Sequence, residues 1–470
     1  MGATMNVMLV NPRRPSAYET ADIIIPPMGL LYLASTLQKN GHSVELKDQV
    51  TADTRLDFTG ADIVGITCYA PTYNLALQIA FQAHQSGLPV VVGGPQVTFL
   101  VPETLQTNRV DYVVLGEAEK TMSELLDCLA QENTRCNLSK IPGLAYRENG
   151  FVRVTPPRRA IPDLDALPFP ARELIDWKTY RHTTLDGQIT APIVTSRGCP
   201  YRCSFCVVPN LPQRKWRARS VENILQEIEQ VLTQYGIGAF VFTDDNFTID
   251  VNRIKDLCKK ITERDLQINW WCMSRADTLI KNPDMVEMMA AAGCSTIFMG
   301  LESASEKVLK TYNKKEEVEA GFRAVEMLEK HNICPYASFI LGSVNETEQE
   351  IEKTIDYAVR LNPHVAQFSI LTPYPGTKIY RELQPRFITR NWDLFDGIHA
   401  VFQPEQLTAP ELEKLLVKAY RKFYLRPRRL WNFLKSYQVK SAIQVIRFLK
   451  NNNKKRRPQN GVSETFGSIY

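Results

Sequence analysis

The feature that most constrains the fold of this 470-residue chain is a strand–helix alternation that runs twice and is interrupted once by proline. Short apolar runs fall at Asn6–Val10, Ser43–Lys47, Ile63–Thr67, Val90–Val92 and Tyr112–Leu115. Between them, Gly29–Asn40, Thr72–Gln85 and Lys120–Leu129 repeat apolar residues at helical spacing. This predicts an α/β domain over residues 1–140, a Rossmann-like (flavodoxin-like) parallel sheet that binds ligands outside the carboxyl ends of its strands. Those ends read Asn11-Pro12, Thr67-Cys68-Tyr69, Gly93-Gly94-Pro95 and Gly116-Glu117. Glycines there let a bulky ligand approach the backbone, although the same residues are also ordinary turn formers.

Prolines 142, 156, 157, 162, 168 and 170 then crowd a stretch that cannot continue a helix, so residues 141–180 are expected to be an extended linker. A second series follows over residues 181–385, with strand candidates Pro192–Ser196, Ala239–Thr243, Asn269–Met273, Thr296–Met299, Tyr336–Leu341 and Val365–Leu371. Helical stretches such as Val221–Gln234 and Glu317–His331 separate them. Six such units predict a partial (β/α)6 TIM-type barrel with its chemistry at the strands' C-terminal ends. Residues 386–450 read as a basic helical segment and 451–470 as a disordered tail.

The length suits two to four domains and excludes a disulfide-stapled miniprotein. No run of about 18 apolar residues occurs, which argues against a membrane-spanning helix, and Met1 to Pro12 lack a secretory signal pattern, so a cytoplasmic protein is expected. The net charge of +5 is an uneven mean: Glu411 to Pro458 carry 15 Lys+Arg against 2 Glu, leaving −8 on the rest. Three readings of that basic end stay open: a solvated helical face capping the barrel, a lid presenting arginines to an anionic substrate, and peripheral contact with the inner membrane face. Nucleic acid is disfavoured, because the excess is confined to one end.

Of the 10 cysteines, only Cys199, Cys203 and Cys206 cluster, in the loop after the first strand of the second series. Three soft thiolates in so short a loop suit one corner of an iron–sulfur centre. A structural zinc site wants four protein ligands, and no second CxxC or paired-histidine motif is present. The scattered cysteines read as small buried hydrophobes.

This CxxxCxxC motif, with the aromatic Phe205 before its last cysteine, resembles the radical S-adenosylmethionine (SAM) superfamily over roughly Thr190 to Leu371. The resemblance implies a 4Fe-4S cluster on Cys199, Cys203 and Cys206 whose open iron chelates SAM. Reductive cleavage of SAM would give a 5′-deoxyadenosyl radical that abstracts hydrogen from an unactivated carbon. It further implies SAM contacts at Phe205 and at successive strand ends: Asp244 and Asp245, Ser274 and Arg275, Glu302, then Ile340 and Gly342.

The N-terminal stretches Pro27–Ala34, Asp62–Thr67, Val92–Pro95 and Leu115–Glu119 resemble the cobalamin-binding domain of cobalamin-dependent radical SAM enzymes. This implies cobalamin contacts at Asn11, Pro12, Thr67, Tyr69, Thr72, Gly93, Gly94, Gly116 and Glu117. No D-x-H-x-x-G motif occurs, and His42 and His84 lie in other contexts, so binding without a histidine below the cobalt is expected. A tRNA-modifying methylthiotransferase would need three more clustered cysteines, and Cys68, Cys128 and Cys136 are too spread. Among the remaining histidines, His182 and His399 flank the barrel as candidate substrate contacts, while His331 and His364 read as structural.

The functional expectation is therefore a cobalamin-dependent radical SAM enzyme that modifies an unactivated carbon by methyl transfer to a lipid, tetrapyrrole or natural product. Oxidative cyclisation of the magnesium-protoporphyrin monomethyl ester type is the alternative, and a non-catalytic cluster or cobalamin sensor is the reading from a different class. The implied partners are a small-molecule or lipid-like substrate and an electron donor such as flavodoxin or ferredoxin.

Overall fold

The computed structural model describes residues 4–12, 25–49, 56–130, 136–180, 188–211 and 215–426. In the first domain, β1 (Asn6–Asn11), β2 (Ser43–Asp48), β3 (Ile63–Thr67), β4 (Val90–Gly93) and β5 (Tyr112–Val114) are parallel, in the order β2-β1-β3-β4-β5. That is the flavodoxin-like doubly wound order, and its switch point lies between β1 and β3. Alternating strand residues serve opposite faces. Val7 and Leu9 meet the helices Met28–Lys39 and Glu119–Leu129, whereas Met8 and Val10 meet the helix Tyr73–Gln85.

The stretch expected to be a linker departs from that expectation at its start. β6 (Leu144–Glu148) and β7 (Phe151–Val154) form an antiparallel hairpin that extends the sheet from β5. Its two-residue turn is Asn149-Gly150, with φ of 52° and 81°. Asn-Gly supplies the two positive φ values that such a tight turn requires, a signal that outweighs the surrounding prolines. A second departure concerns Cys128 and Cys136, expected to be small hydrophobes: they pair as a disulfide at the end of the helix Glu119–Leu129.

The second domain begins with β8 (Thr190–Ile193). The short strands β9 (Ser196–Arg197) and β10 (Arg217–Ala218) pair with each other. Then come β11 (Ala239–Phe242), β12 (Asn269–Ser274), β13 (Cys294–Glu302), β14 (Cys334–Leu341) and β15 (Val365–Ile370). β8 and β11 to β15 form a six-stranded parallel sheet in sequential order. Because every crossover steps the same way with the same hand, the helices fall on one face, as in a TIM-type barrel. Phe240, Trp270, Ile297, Phe339 and Phe368 point to that helical face and are fully buried or nearly so.

β8 and β15 do not pair, so the barrel is partial. The free edge of β15 is covered by the helix Ala409–Tyr424, which opens on a Thr408/Glu411 capping box. The Tyr420 hydroxyl accepts from the Phe368 N–H (3.2 Å) and donates to its carbonyl (2.9 Å); Tyr424 does the same at Ala366 (3.1 and 2.9 Å). Two side chains thus complete the ladder of an otherwise open edge. The basic segment beyond Arg426, the expected tail and His182 lie outside the described residues. No described helix is long and apolar enough to cross a membrane.

Candidate active site

The carboxyl ends of the two sheets face each other. Ala70, which follows β3, packs in one cluster with Leu371, after β15, and with Tyr312 and Phe395. A Cβ on Gly376 would come within 2.5 Å of Phe99, which follows β4. Residues after β5 reach those after β8: Glu119 binds Arg197 at 2.6 Å and Glu117 binds Arg217 at 2.7 Å. A group held at one set of strand ends therefore meets a group held at the other.

Cys199, Cys203 and Cys206 lie in the loop closed by the β9–β10 ribbon. The loop is anchored to the turn after the helix Glu306–Thr311. The Ser204 N–H donates to the Tyr312 carbonyl (2.9 Å), the Ser204 hydroxyl to that of Thr311 (2.9 Å), and the Asn313 amide to that of Arg202 (2.8 Å). Phe205 stands edge-on to Tyr312, 5.2 Å between ring centres. Burial pushes all three thiols up, Cys206 to about 12, while Lys314 and Arg275 oppose that rise at Cys203. Loading metal here therefore releases protons. Among the described residues, no three His, Cys, Asp or Glu side chains form a ready single-ion site. Three thiols that influence one another without closing on one point fit a cluster, whose several irons hold their thiolates farther apart than one ion does.

The expected SAM residues divide into two groups. Asp244 is fully occupied: it accepts from the Thr195 N–H (2.6 Å), the Thr195 hydroxyl and the Ser196 hydroxyl (2.6 Å), bracing the turn that leads into the cysteine loop. Ser274 is spent on Thr248 at 2.6 Å. Gly342 is required for packing, since a Cβ there would meet Leu412 at 2.4 Å and its φ is +84°. Its N–H donates to Glu346 at 2.8 Å.

Asp245 belongs to the other group. It keeps an exposed surface and accepts the Gly198 N–H; desolvation and then Asp244 push its carboxyl up to about 6. Arg275 lies over the Tyr201 ring of the cysteine loop at 4.0 Å and pairs with Asp277 at 3.0 Å. Glu302 has the strained φ of +63° and accepts from Lys314 at 3.2 Å. Ile340 and Phe205 pack against the same cluster, which includes Tyr312 and Leu371.

Lys314 and Glu316 had no counterpart in the sequence reading. Lys314, buried, bridges Glu302 and Glu316 (3.3 Å), and Glu316 also faces Arg275 at 3.6 Å. A buried ion network thus lies against the cysteine loop. In sequence these residues look like a solvated Lys-Lys-Glu-Glu turn, and nothing local marks them as buried.

In the N-terminal domain, Gly94 permits the ends of β3 and β4 to approach: a Cβ there would lie 2.5 Å from the Cys68 carbonyl, and its φ is +111°. Gly93 continues that surface, and Gly116, with φ of +77°, turns the chain after β5. Thr67 closes β3, Tyr69 beside it is 44% exposed, and Thr72 accepts the Tyr69 N–H at 3.0 Å. Asn11 donates to Asp48 at 2.9 Å and Pro12 is buried. Glu117 is instead committed to Arg217 and Arg197. His42 donates nothing to this surface: its ring accepts the Met5 N–H at 3.4 Å, and His84 sits 3.9 Å from Asp111, both at the opposite end of the sheet. Among the described residues of the first domain, neither histidine lies near this glycine surface. His399 sits near the end of β15, where the Gly397 carbonyl accepts the Ile370 N–H at 2.7 Å; its ring bonds Asp396 at 2.8 Å.

A doubly wound domain joined end to end with a partial barrel that carries a three-cysteine loop defines a two-domain radical enzyme class. Residues 18–126 match the B12 binding domain family and residues 193–358 the Radical SAM superfamily. The chain is 36% identical over 439 residues to "Uncharacterized methyltransferase PH0819" of Pyrococcus horikoshii, covering 91% of this chain and 94% of that protein. It therefore belongs to the radical SAM superfamily, in the branch whose members also carry a B12 binding domain, and it is an enzyme.

The chain is also similar to the anaerobic magnesium-protoporphyrin IX monomethyl ester cyclase of Rubrivivax gelatinosus, at 27% identity over 434 residues (90% of this chain, 78% of that one). The cobalamin-dependent radical enzyme OxsB, solved with aqua-cobalamin and SAM, shares the fold with a TM-score of 0.73 at 19% identity over 94% of this chain and 72% of that one. The methyltransferase TsrM of Kitasatospora setae does so with a TM-score of 0.68 at 17% identity, over 96% of this chain and all of that one.

Proposed function

We propose that the enzyme transfers a methyl group to an unactivated carbon of an apolar small molecule, a lipid, tetrapyrrole or related natural product, using a 4Fe-4S cluster, SAM and cobalamin. The observation that carries the substrate class is the inner face of the barrel sheet. Residues on the helical face are buried, whereas Trp271, Met273, Phe298, Tyr336 and Ile340 on the other face stay partly exposed. A filled TIM barrel buries its inward side chains; here they line an open interior. The inward positions of β11, β12, β14 and β15 carry no charged side chain. The Tyr336 hydroxyl on this face donates to Gln367 at 2.9 Å. A charged substrate placed there would lose its hydration without compensation, whereas an uncharged ring system or hydrocarbon loses little.

When bound, the cluster with SAM supplies hydrogen abstraction and cobalamin supplies the methyl group. Cys199, Cys203 and Cys206 would hold the cluster, Asp245 and Arg275 would receive the methionyl group, and the glycine surface at Gly93 and Gly94 would hold the corrin. Oxidative cyclisation is the second reading, favoured by the likeness to the protoporphyrin ester cyclase, because it draws on the same cofactors. An electron donor of flavodoxin or ferredoxin type completes the system. The test is anaerobic turnover with candidate porphyrins and polycyclic lipids, read by mass spectrometry. Gain of one methyl group supports transfer, and loss of hydrogens with no methyl gain replaces it with cyclisation. Failure of reconstituted protein to form 5′-deoxyadenosine would remove both.

A further inference from the structure

The neck of the cysteine loop is a ribbon two residues long, and it sets Arg197 directly opposite Arg217. Isolated two-stranded ribbons are marginal even when long, and like charges facing each other across a ladder push it apart. Left to itself this neck would open, and Cys199, beside it, would lose the support that the anchors at Arg202 and Ser204 do not supply. The neutralising charges come from the other domain. Glu117, just after β5, takes the Arg217 guanidinium with both carboxylate oxygens (2.7 and 3.2 Å) and reaches Arg197 at 3.4 Å. Glu119, in the first turn of its helix, takes Arg197 at 2.6 Å, and the Tyr32 ring lies 5.3 Å from that guanidinium. The four charged side chains are 6–19% exposed, so solvent screens them little.

We infer that the N-terminal domain holds the neck of the cysteine loop closed, with Glu117 and Glu119 acting through Arg217 and Arg197 as positioning residues for the cluster. The corrin domain thereby does more than carry its own cofactor: it shapes the loop that binds the other domain's. The part that concerns the cluster rests on the function proposed above, while the clamp itself can be measured without any metal.

The experiment uses the full-length chain with Glu117→Gln, Glu119→Gln and both together. In the metal-free protein, alkylation of Cys199, Cys203 and Cys206 by iodoacetamide is followed by peptide mass spectrometry. The double variant is expected to react at least about tenfold faster at these three sites, since a part-buried ion pair lies between an exposed pair and a fully buried one, with buried Cys258 and Cys272 unchanged as the control for global unfolding. In reconstituted protein, cluster loss to an iron chelator should accelerate by a similar factor, and Glu119→Arg combined with Arg197→Glu should restore much of the protection. Unchanged alkylation at the three loop cysteines overturns the clamp, whatever the cluster does. Faster alkylation in a protein whose parent takes up no cluster sustains the clamp and removes the proposed function instead. Acceleration at Cys258 as well assigns the effect to global unfolding and overturns it.

Discussion

Lys314→Met removes the one cation that bridges two buried carboxylates beside the cysteine loop. Lys314 is 8% exposed, Glu302 7% and Glu316 5%. Removing one partner of a buried pair costs about 3–5 kcal/mol, because a charge remains without compensation. Two carboxylates lose Lys314, but the cost is not doubled: Arg275 stays 3.6 Å from Glu316, whereas Lys314 is the cation paired with Glu302. One orphaned charge is therefore expected, and adding Glu302→Gln should recover all but about 1–1.5 kcal/mol. Urea unfolding of the metal-free protein, followed by tryptophan fluorescence to which Trp270 and Trp271 on β12 contribute, measures this.

The sign of the pH dependence follows from Glu316. Burial pushes its carboxyl up even with Lys314 and Arg275 alongside, and losing Lys314 pushes it further. Such a group holds its proton more tightly when folded than when unfolded, so stability falls as pH rises, and the deficit of the Lys314→Met variant should be smaller near pH 5 than near pH 8. A deficit below about 1 kcal/mol, or no recovery in the double variant, would refute the idea that this network is buried and paired.

Cys203→Ala should leave the protein unable to retain its cluster and should abolish 5′-deoxyadenosine; iron content and product assays check both, and persisting product would contradict the ligand assignment. Gly94→Ala must place a Cβ 2.5 Å from the Cys68 carbonyl at φ of +111°, so it should cost the first domain about 1–3 kcal/mol and weaken cobalamin binding, measured by equilibrium titration. His42→Ala and His84→Ala should leave the spectrum of bound cobalamin unchanged; a shift on either would show that a histidine reaches the cobalt. Burial raises the Glu346 carboxyl from 4.5 to about 7, so the wild type should lose stability as pH rises between those values. In Glu346→Gln that contribution should be missing, read as the difference between the two proteins' stability-against-pH curves.

What could be read in the chain beforehand was whatever depends on local pattern. The β3 and β15 runs are continuous or alternating apolar stretches that need no knowledge of their neighbours. The cysteine loop carries its chemistry in eight consecutive residues. The β6–β7 hairpin lies in a proline-dense stretch that favours an extended linker, and only the Asn149-Gly150 turn marks it locally. At Asp244 and Ser274, strand-end polarity does not distinguish a ligand contact from a group that bonds Thr195 or Thr248, as these two do.

The charges that matter most escaped for a different reason. Arg197 finds Glu119 and Arg217 finds Glu117 across 78 and 100 residues of chain, and Lys314 pairs with Glu302 only because the β13 register shift and the positive φ at Glu302 turn that side chain toward it. Each of these residues, taken alone, is an ordinary surface charge. They become buried because two sheets meet at their carboxyl ends, where both proposed cofactors must also meet. Apposed faces that must hold reactive groups in register cannot be sealed by a continuous apolar core without filling the space those groups occupy. Ion pairs at the rim of the site fix the separation of the domains while leaving its centre open, which is why, among the described residues, the ion pairs most distant in sequence gather around the cysteine loop.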